Sequence, residues 1–151
     1  MLVEVANAGR LKNIPALLRA FRKVRRTVPV AELRLIGPGL ERDAPLATWA
    51  RNRRLAAGVR FVGSVSRAEV STHLSEAWVH VHASLEESFG MSILEALALG
   101  TPVVAGRSAG AVPWVLADGV AGVLVDVRDP EALAKSVLAL LMDEERRAQL
   151  A

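Results

Sequence analysis

The chain has 151 residues, enough to bury the core of one domain, and 52% of them are hydrophobic against 23% charged, which excludes a disordered protein. No apolar run approaches the roughly 20 residues needed to cross a bilayer, and Met1 opens directly into Leu2-Val3-Glu4-Val5-Ala6 without a basic leader, so neither a membrane span nor a signal peptide is expected and a cytoplasmic protein is. Cysteine is absent, which excludes disulfides and thiolate chemistry, and the net charge of +3 divides unevenly, with 14 Lys/Arg against 5 Asp/Glu in residues 1–75 and 5 against 11 in residues 76–151.

The first strand is expected over Leu2–Ala6, followed by a loop, Asn7 to Asn13, that carries Gly9, Arg10 and Lys12. A helix follows from Ile14 to Arg26, with Pro15 in its first turn and an apolar stripe of Leu17, Leu18, Phe21 and Val24. Its other face holds the densest basic stretch, Arg19 to Arg26, which reads as a solvated helix surface. Peripheral contact with an anionic membrane face is the sharper alternative. Nucleic acid is disfavoured, because no aromatic side chains interleave for stacking. Further strands are expected at Leu33–Ile36, Val59–Val62, Trp78–Ala83, Pro102–Ala105 and Gly122–Val125, each a nearly continuous apolar run, as in parallel strands covered on both faces.

Helices fill the intervals. One spans Ala44–Leu55; another opens at Ser66-Arg67-Ala68-Glu69, a capping box. A third covers Met91–Leu99 and stops at Gly100. A fourth begins at Asp129-Pro130-Glu131, with an N-cap, a first-turn proline and an acidic first turn. The last segment, Asp143–Ala151, is helical and ends without a cap, as a chain cut from a longer one would. Six strands alternating with helices predict an α/β fold: a doubly wound, Rossmann-like parallel sheet with helices on both faces.

Ligands of such sheets bind beyond the carboxyl ends of the strands. The loop after the first strand offers two cations and a helix N-terminus, although it lacks the glycine pattern of a dinucleotide fold or a P-loop. After the fourth strand, Ser84 to Gly90 feeds the Met91–Leu99 helix, which is apolar nearly all round and so is expected to be buried. Glu95 on that helix is then a buried carboxylate, either hydrogen-bonded to a neighbouring backbone group or holding ligand hydroxyls. The small-residue loop Gly106 to Pro113 reads as a strand-to-helix turn. His80 and His82 share a strand face with Trp78, but no third ligand stands at a useful spacing, nor is there an Asp-x-Asp, so no metal site is expected.

Taken in order, these residues resemble the C-terminal domain of the glycosyltransferase family four, or group one, enzymes of GT-B fold. The segment Glu87-Ser-Phe-Gly-Met-Ser-Ile-Leu-Glu95 matches that family's E-x7-E motif, and Glu95-Ala-Leu-Ala-Leu-Gly-Thr-Pro-Val-Val-Ala105 continues it. Val59-Arg-Phe-Val-Gly63, Asp118-Gly119 and Gly122-Val-Leu-Val125 complete the pattern, so that the resemblance covers nearly the whole chain.

The resemblance implies a retaining, metal-independent sugar transferase whose donor is a nucleotide diphosphate sugar of UDP or GDP type, with no other cofactor. By position, Glu87 contacts the donor-sugar hydroxyls beside Ser88 and the N–H groups of Phe89 and Gly90. Met91 and Ser92 offer N–H groups to the diphosphate, Glu95 holds the ribose, and Lys12, aided by Arg10, neutralises the departing diphosphate. The acceptor, whether glycan, lipid or small molecule, belongs to an N-terminal domain expected to precede Met1, and a helix crossing back to that domain is expected beyond Ala151. The chain by itself is therefore expected to bind donor and transfer little. Three departures stand out: Ala6-Asn7 occupies the usual Gly-Arg position, Ala83 a common proline, and Trp114 the place of a glutamate. A GT-B epimerase acting on UDP-N-acetylglucosamine and a non-catalytic nucleotide-binding or scaffolding domain remain the alternatives.

Overall fold

The computed structural model describes residues 1–151. Six strands, β1 (Leu2–Val5), β2 (Leu33–Ile36), β3 (Val59–Gly63), β4 (Val79–His82), β5 (Val103–Gly106) and β6 (Val123–Val125), form one sheet in the order β3-β2-β1-β4-β5-β6. Every pairing is parallel, as the apolar strand runs predicted.

Helices α1 (Ile14–Thr27), α2 (Pro45–Asn52) and α6 (Pro130–Met142) cover one face, and α3 (Arg67–Ser75), α4 (Met91–Ala98) and α5 (Val112–Val115) cover the other. A short α7 (Glu144–Gln149) ends the fold. The larger core lies under α1 and α6, where Leu17, Leu18, Phe21 and Val24 meet Leu133, Val137 and Leu140. Residues spaced by three and four along both helices supply this contact, which is why their period was readable.

The expected end signals are present. Ser66 Oγ accepts from the Glu69 N–H while Glu69 Oε2 accepts from the Ser66 N–H, closing the capping box. Asp129 Oδ1 accepts from the Glu131 N–H at 2.8 Å, and Gly100 follows α4 at φ 68°. Asp143 caps α7, and Arg147 on that helix donates to the carbonyls of Leu140 and Leu141, closing the end of α6. The basic stretch of α1 is only partly free: Lys23 pairs with Glu131, Arg25 donates to the Pro29 carbonyl, and Arg19 stacks over Trp49.

One expectation fails. Although α4 is apolar nearly all round, only Ile93 and Ala96 of it are fully buried, and Met91 at its start and Leu99 just after it are exposed. The helix packs on α3, β4 and β5 with only Ile93 and Ala96 fully buried, so its composition overstates its burial.

Candidate functional site

The sheet order reverses between β1 and β4, whose flanking crossovers leave in opposite directions and open a crevice at their carboxyl ends. A cleft of about 390 Å³ occupies that crevice. Two loops form it. The turn after β1, Arg10–Lys12, is bound to the loop after β4 by the Leu85 N–H, which donates to the Leu11 carbonyl at 2.7 Å. Asn13 ends that turn in the left-handed region, at φ 55°, and anchors it through its side-chain amide, which donates to the Val127 carbonyl. These restraints bring Lys12 Nζ to 2.5 Å from Glu87 Oε2.

Glu87 is held by its backbone as well. Its carbonyl accepts the Ala111 N–H at 3.0 Å, and Gly110 turns beside it at φ +59°. A Cβ on Gly110 would stand 2.3 Å from the Glu87 carbonyl oxygen. The small-residue loop after β5 is thus a brace against the site, a role its composition alone did not reveal.

Beyond Glu87 the chain enters α4 through Gly90, at φ 79°, a left-handed geometry suited to glycine. The N–H groups of Ser88, Phe89, Gly90, Met91 and Ser92 donate to no protein acceptor, since the first bonds of the helix run from Ile93 and Leu94 to the Gly90 carbonyl. Five successive unengaged donors and the positive end of a helix thus lie on residues that line the cleft Lys12 enters.

A buried polar cluster lies behind Glu87. His82 Nε2 is 3.2 Å from Glu87 Oε2, and His82 Nδ1 is 3.5 Å from Oε1 of Glu4. The Glu4 side chain is wholly buried; its Oε2 accepts the Ala83 N–H, while Oε1 makes no hydrogen bond. Burial opposes charge on His82, but Glu4 and Glu87 outweigh it and raise the imidazole above its ordinary pKa. His80, equally buried, is pushed down to about 4, chiefly by desolvation. Burial disfavours ionisation of Glu87 too, but the bond from Lys12 and the charge of His82 prevail and hold it below the usual carboxylate range.

Lys12, Glu87, Ser88, Phe89, Gly90, Met91, Ser92 and Glu95 all line this one cleft, whereas Arg10 does not line it and its side chain is exposed. Glu95 is not the buried carboxylate its helix suggested. It is 26% exposed, with Arg67 at 3.5 Å, because the exposed side of α4 leaves it at the cleft margin. The buried carboxylate is Glu4, which sequence reasoning passed over inside an apolar strand. His82 was weighed only as a metal ligand, and no group of three metal-ligating side chains is present. A larger cavity, about 530 Å³, lies at the opposite end of the strands beside Gly122 and Gln149, remote from these donors.

The family model for glycosyl transferases group 1 matches residues 1–151. The chain belongs to this family. It is 36% identical to a D-inositol 3-phosphate glycosyltransferase of Corynebacterium kroppenstedtii over 97% of its own length and 34% of the relative's, so it spans about a third of that protein. Among solved structures, a sucrose-phosphate synthase from Thermosynechococcus elongatus superimposes with a TM-score of 0.85 at 27% identity, covering 99% of this chain and 38% of that one. The Anabaena protein HepE, in complex with UDP, gives 0.82 at 25% identity, covering 99% and 41%. The doubly wound, Rossmann-like sheet is the architecture these structures share with the chain.

Proposed function

We propose that this chain is the donor-binding, C-terminal part of a sugar transferase that works with retention and without metal. The observation that carries the reading is the row of unengaged N–H groups from Ser88 to Ser92, at the N-terminus of α4, opening on the cleft that Lys12 shares. Such a row suits a diphosphate, because backbone donors and the helix end are fixed before the ligand arrives. The similarity to HepE, solved in complex with UDP, supports a nucleoside diphosphate as the ligand, and UDP and GDP sugars are the donors to test first.

In this reading Met91 and Ser92 hold the diphosphate, Glu95 the ribose and Glu87 the sugar hydroxyls. As the glycosidic bond to the diphosphate breaks, negative charge accumulates on the leaving phosphate. The helix end, fixed in place, and Lys12, which turns from Glu87, meet that charge, the task a divalent cation performs in other transferases. The acceptor and the remaining half of the reaction cleft belong to a further domain of the full-length protein. The chain alone therefore binds donor without useful transfer, since it cannot position the acceptor against the reacting carbon.

A thermal-shift panel of UDP, GDP and ADP sugars tests the reading, because a ligand that binds only the folded state raises the melting temperature with its concentration. Stabilisation by a UDP or GDP sugar supports it. Absence of any shift across the panel at saturating concentration contradicts it.

A further inference from the structure

The buried cluster behind Glu87 has a determinable arrangement of protons. His80 Nδ1 lies 3.1 Å from the Val3 carbonyl oxygen, which can only accept, so His80 carries its proton on Nδ1. With His80 neutral, its Nε2 is an acceptor, and the Ser92 hydroxyl 3.2 Å away donates to it. Ser92 Oγ then turns a lone pair toward His82 Nδ1 at 3.4 Å, where Glu4 Oε1 also stands at 3.5 Å. Ser92 Oγ is the one hydrogen-bond acceptor at Nδ1, and the Glu4 carboxylate stands beside it as a negative charge; together they place a proton on Nδ1. Only the doubly protonated imidazolium can in addition donate from Nε2 to Glu87 Oε2, 3.2 Å away. In the neutral ring, a lone pair on Nε2 would face a carboxylate lone pair.

We propose that His82, oriented by Glu4, is the positioning residue and standing counter-ion of Glu87. Resting on the donor reading above, the inference explains how Lys12 serves two anions. Its Nζ lies 2.5 Å from Glu87 Oε2 and also borders the space for the diphosphate. When Lys12 turns to the diphosphate, Glu87 keeps a cation on the protein side, so its carboxylate stays ionised and aimed at the sugar. The charges facing His82 are Glu4 on β1, Lys12 on the turn after β1 and Glu87 on the loop after β4. His80, its neighbour on β4, is neutral, and α4 contributes only the Ser92 hydroxyl. Two carboxylates and two cations balance; loss of the His82 proton leaves Glu87 without a cation on the protein side once Lys12 has turned away, which the sugar-bearing ligand senses through Glu87. His82 itself is almost sealed from the cleft, at 2% side-chain exposure, which gives it a positioning role rather than contact with substrate.

The test has two arms, the first needing no ligand. The chain contains three histidines, so the imidazole resonances of isotopically labelled protein can be followed one by one against pH, with His80→Gln and His82→Gln assigning them. His82 is expected to titrate above its ordinary value of about 6.5. Glu4→Gln and Glu87→Gln are each expected to lower that midpoint by about one pH unit or more. Titration at or below about 6.5, or indifference to Glu87→Gln, would overturn the proposal.

In the second arm, calorimetry compares UDP-glucose and GDP-mannose with bare UDP and GDP, between about pH 6 and 9, around the histidine range. His82→Gln is expected to weaken the nucleotide sugar by roughly tenfold or more, the scale of a hydrogen bond to a charged group, while leaving the bare nucleotide within about twofold. The wild-type advantage over His82→Gln should fade as pH rises through the His82 midpoint. Equal losses for both ligands, or an advantage independent of pH, would make His82 merely structural. If the wild type binds none of the four ligands, the donor reading fails, and the titration arm still decides whether His82 holds Glu87.

Discussion

Lys12 and Glu87 stand 75 positions apart in sequence, and their charged ends are 2.5 Å apart at the mouth of the cleft. The contact depends on the Leu85–Leu11 backbone bond, so it reports the joining of the two loops that make the site. Lys12→Gln is expected to weaken bare UDP or GDP by about 1.5–3 kcal/mol, the contribution of a charge-assisted hydrogen bond. Isothermal calorimetry measures this directly, and urea unfolding of the same variant separates lost binding from the stability the part-buried pair supplies.

Glu95→Gln separates ligand binding from stability. Glu95 faces only an 83% exposed Arg67 at 3.5 Å, so the substitution should change unfolding free energy by less than about 1 kcal/mol. If Glu95 holds the ribose, bare nucleotide and nucleotide sugar should both lose affinity. Urea unfolding and calorimetry on the same sample distinguish this from a folding defect.

His80 predicts a pH dependence of stability. Its folded pKa is depressed to about 4, so between its ordinary value and that point the unfolded chain binds the extra proton and the folded chain does not. Stability contributed by neutral His80 is full above about pH 6.5 and declines as pH falls toward 4, by roughly 3 kcal/mol in all. His82, raised instead, works in the other direction, its contribution fading as pH rises through its folded value. Urea midpoints of the wild type and His80→Gln from pH 4 to 7 should show the steeper acid loss in the wild type.

Gly110→Ala should damage the site through its brace. The new Cβ would lie 2.3 Å from the Glu87 carbonyl oxygen, at a backbone φ of +59° that costs a side chain about 1–2 kcal/mol by itself. Lower stability in urea, with nucleotide-sugar affinity reduced more than that of bare nucleotide, is the expected result.

Element order and sheet direction were legible because strand runs, helix stripes and cap residues agree with one another. The capping box at Ser66 and the Asp129 cap appear where the residues place them. Helix α5 and the turn after it were not legible, since four residues of α5 are too few to display a helical period. Within the site, the E-x7-E segment marked the cleft, but the buried acid was placed on Glu95 rather than Glu4. An all-apolar helix does not reveal which stripe of it packs, and a single charge in a four-residue strand carries no period of its own. The link from Glu4 through His82 to Glu87 joins three parts of the chain, and only the pairing of β1 with β4 brings them together.

In the proposed function, Glu87 reads the sugar of a donor held without metal. Calorimetry of UDP-glucose, GDP-mannose, UDP and GDP in EDTA, with the wild type and Glu87→Gln, tests it most directly. The wild type is expected to bind at least one nucleotide sugar and its bare nucleotide under chelation. Glu87→Gln should retain the bare nucleotide and lose about 1.5–3 kcal/mol of affinity for the sugar-bearing ligand. Complete loss of wild-type binding in EDTA, or a folded Glu87→Gln variant that binds every ligand as the wild type does, would contradict it.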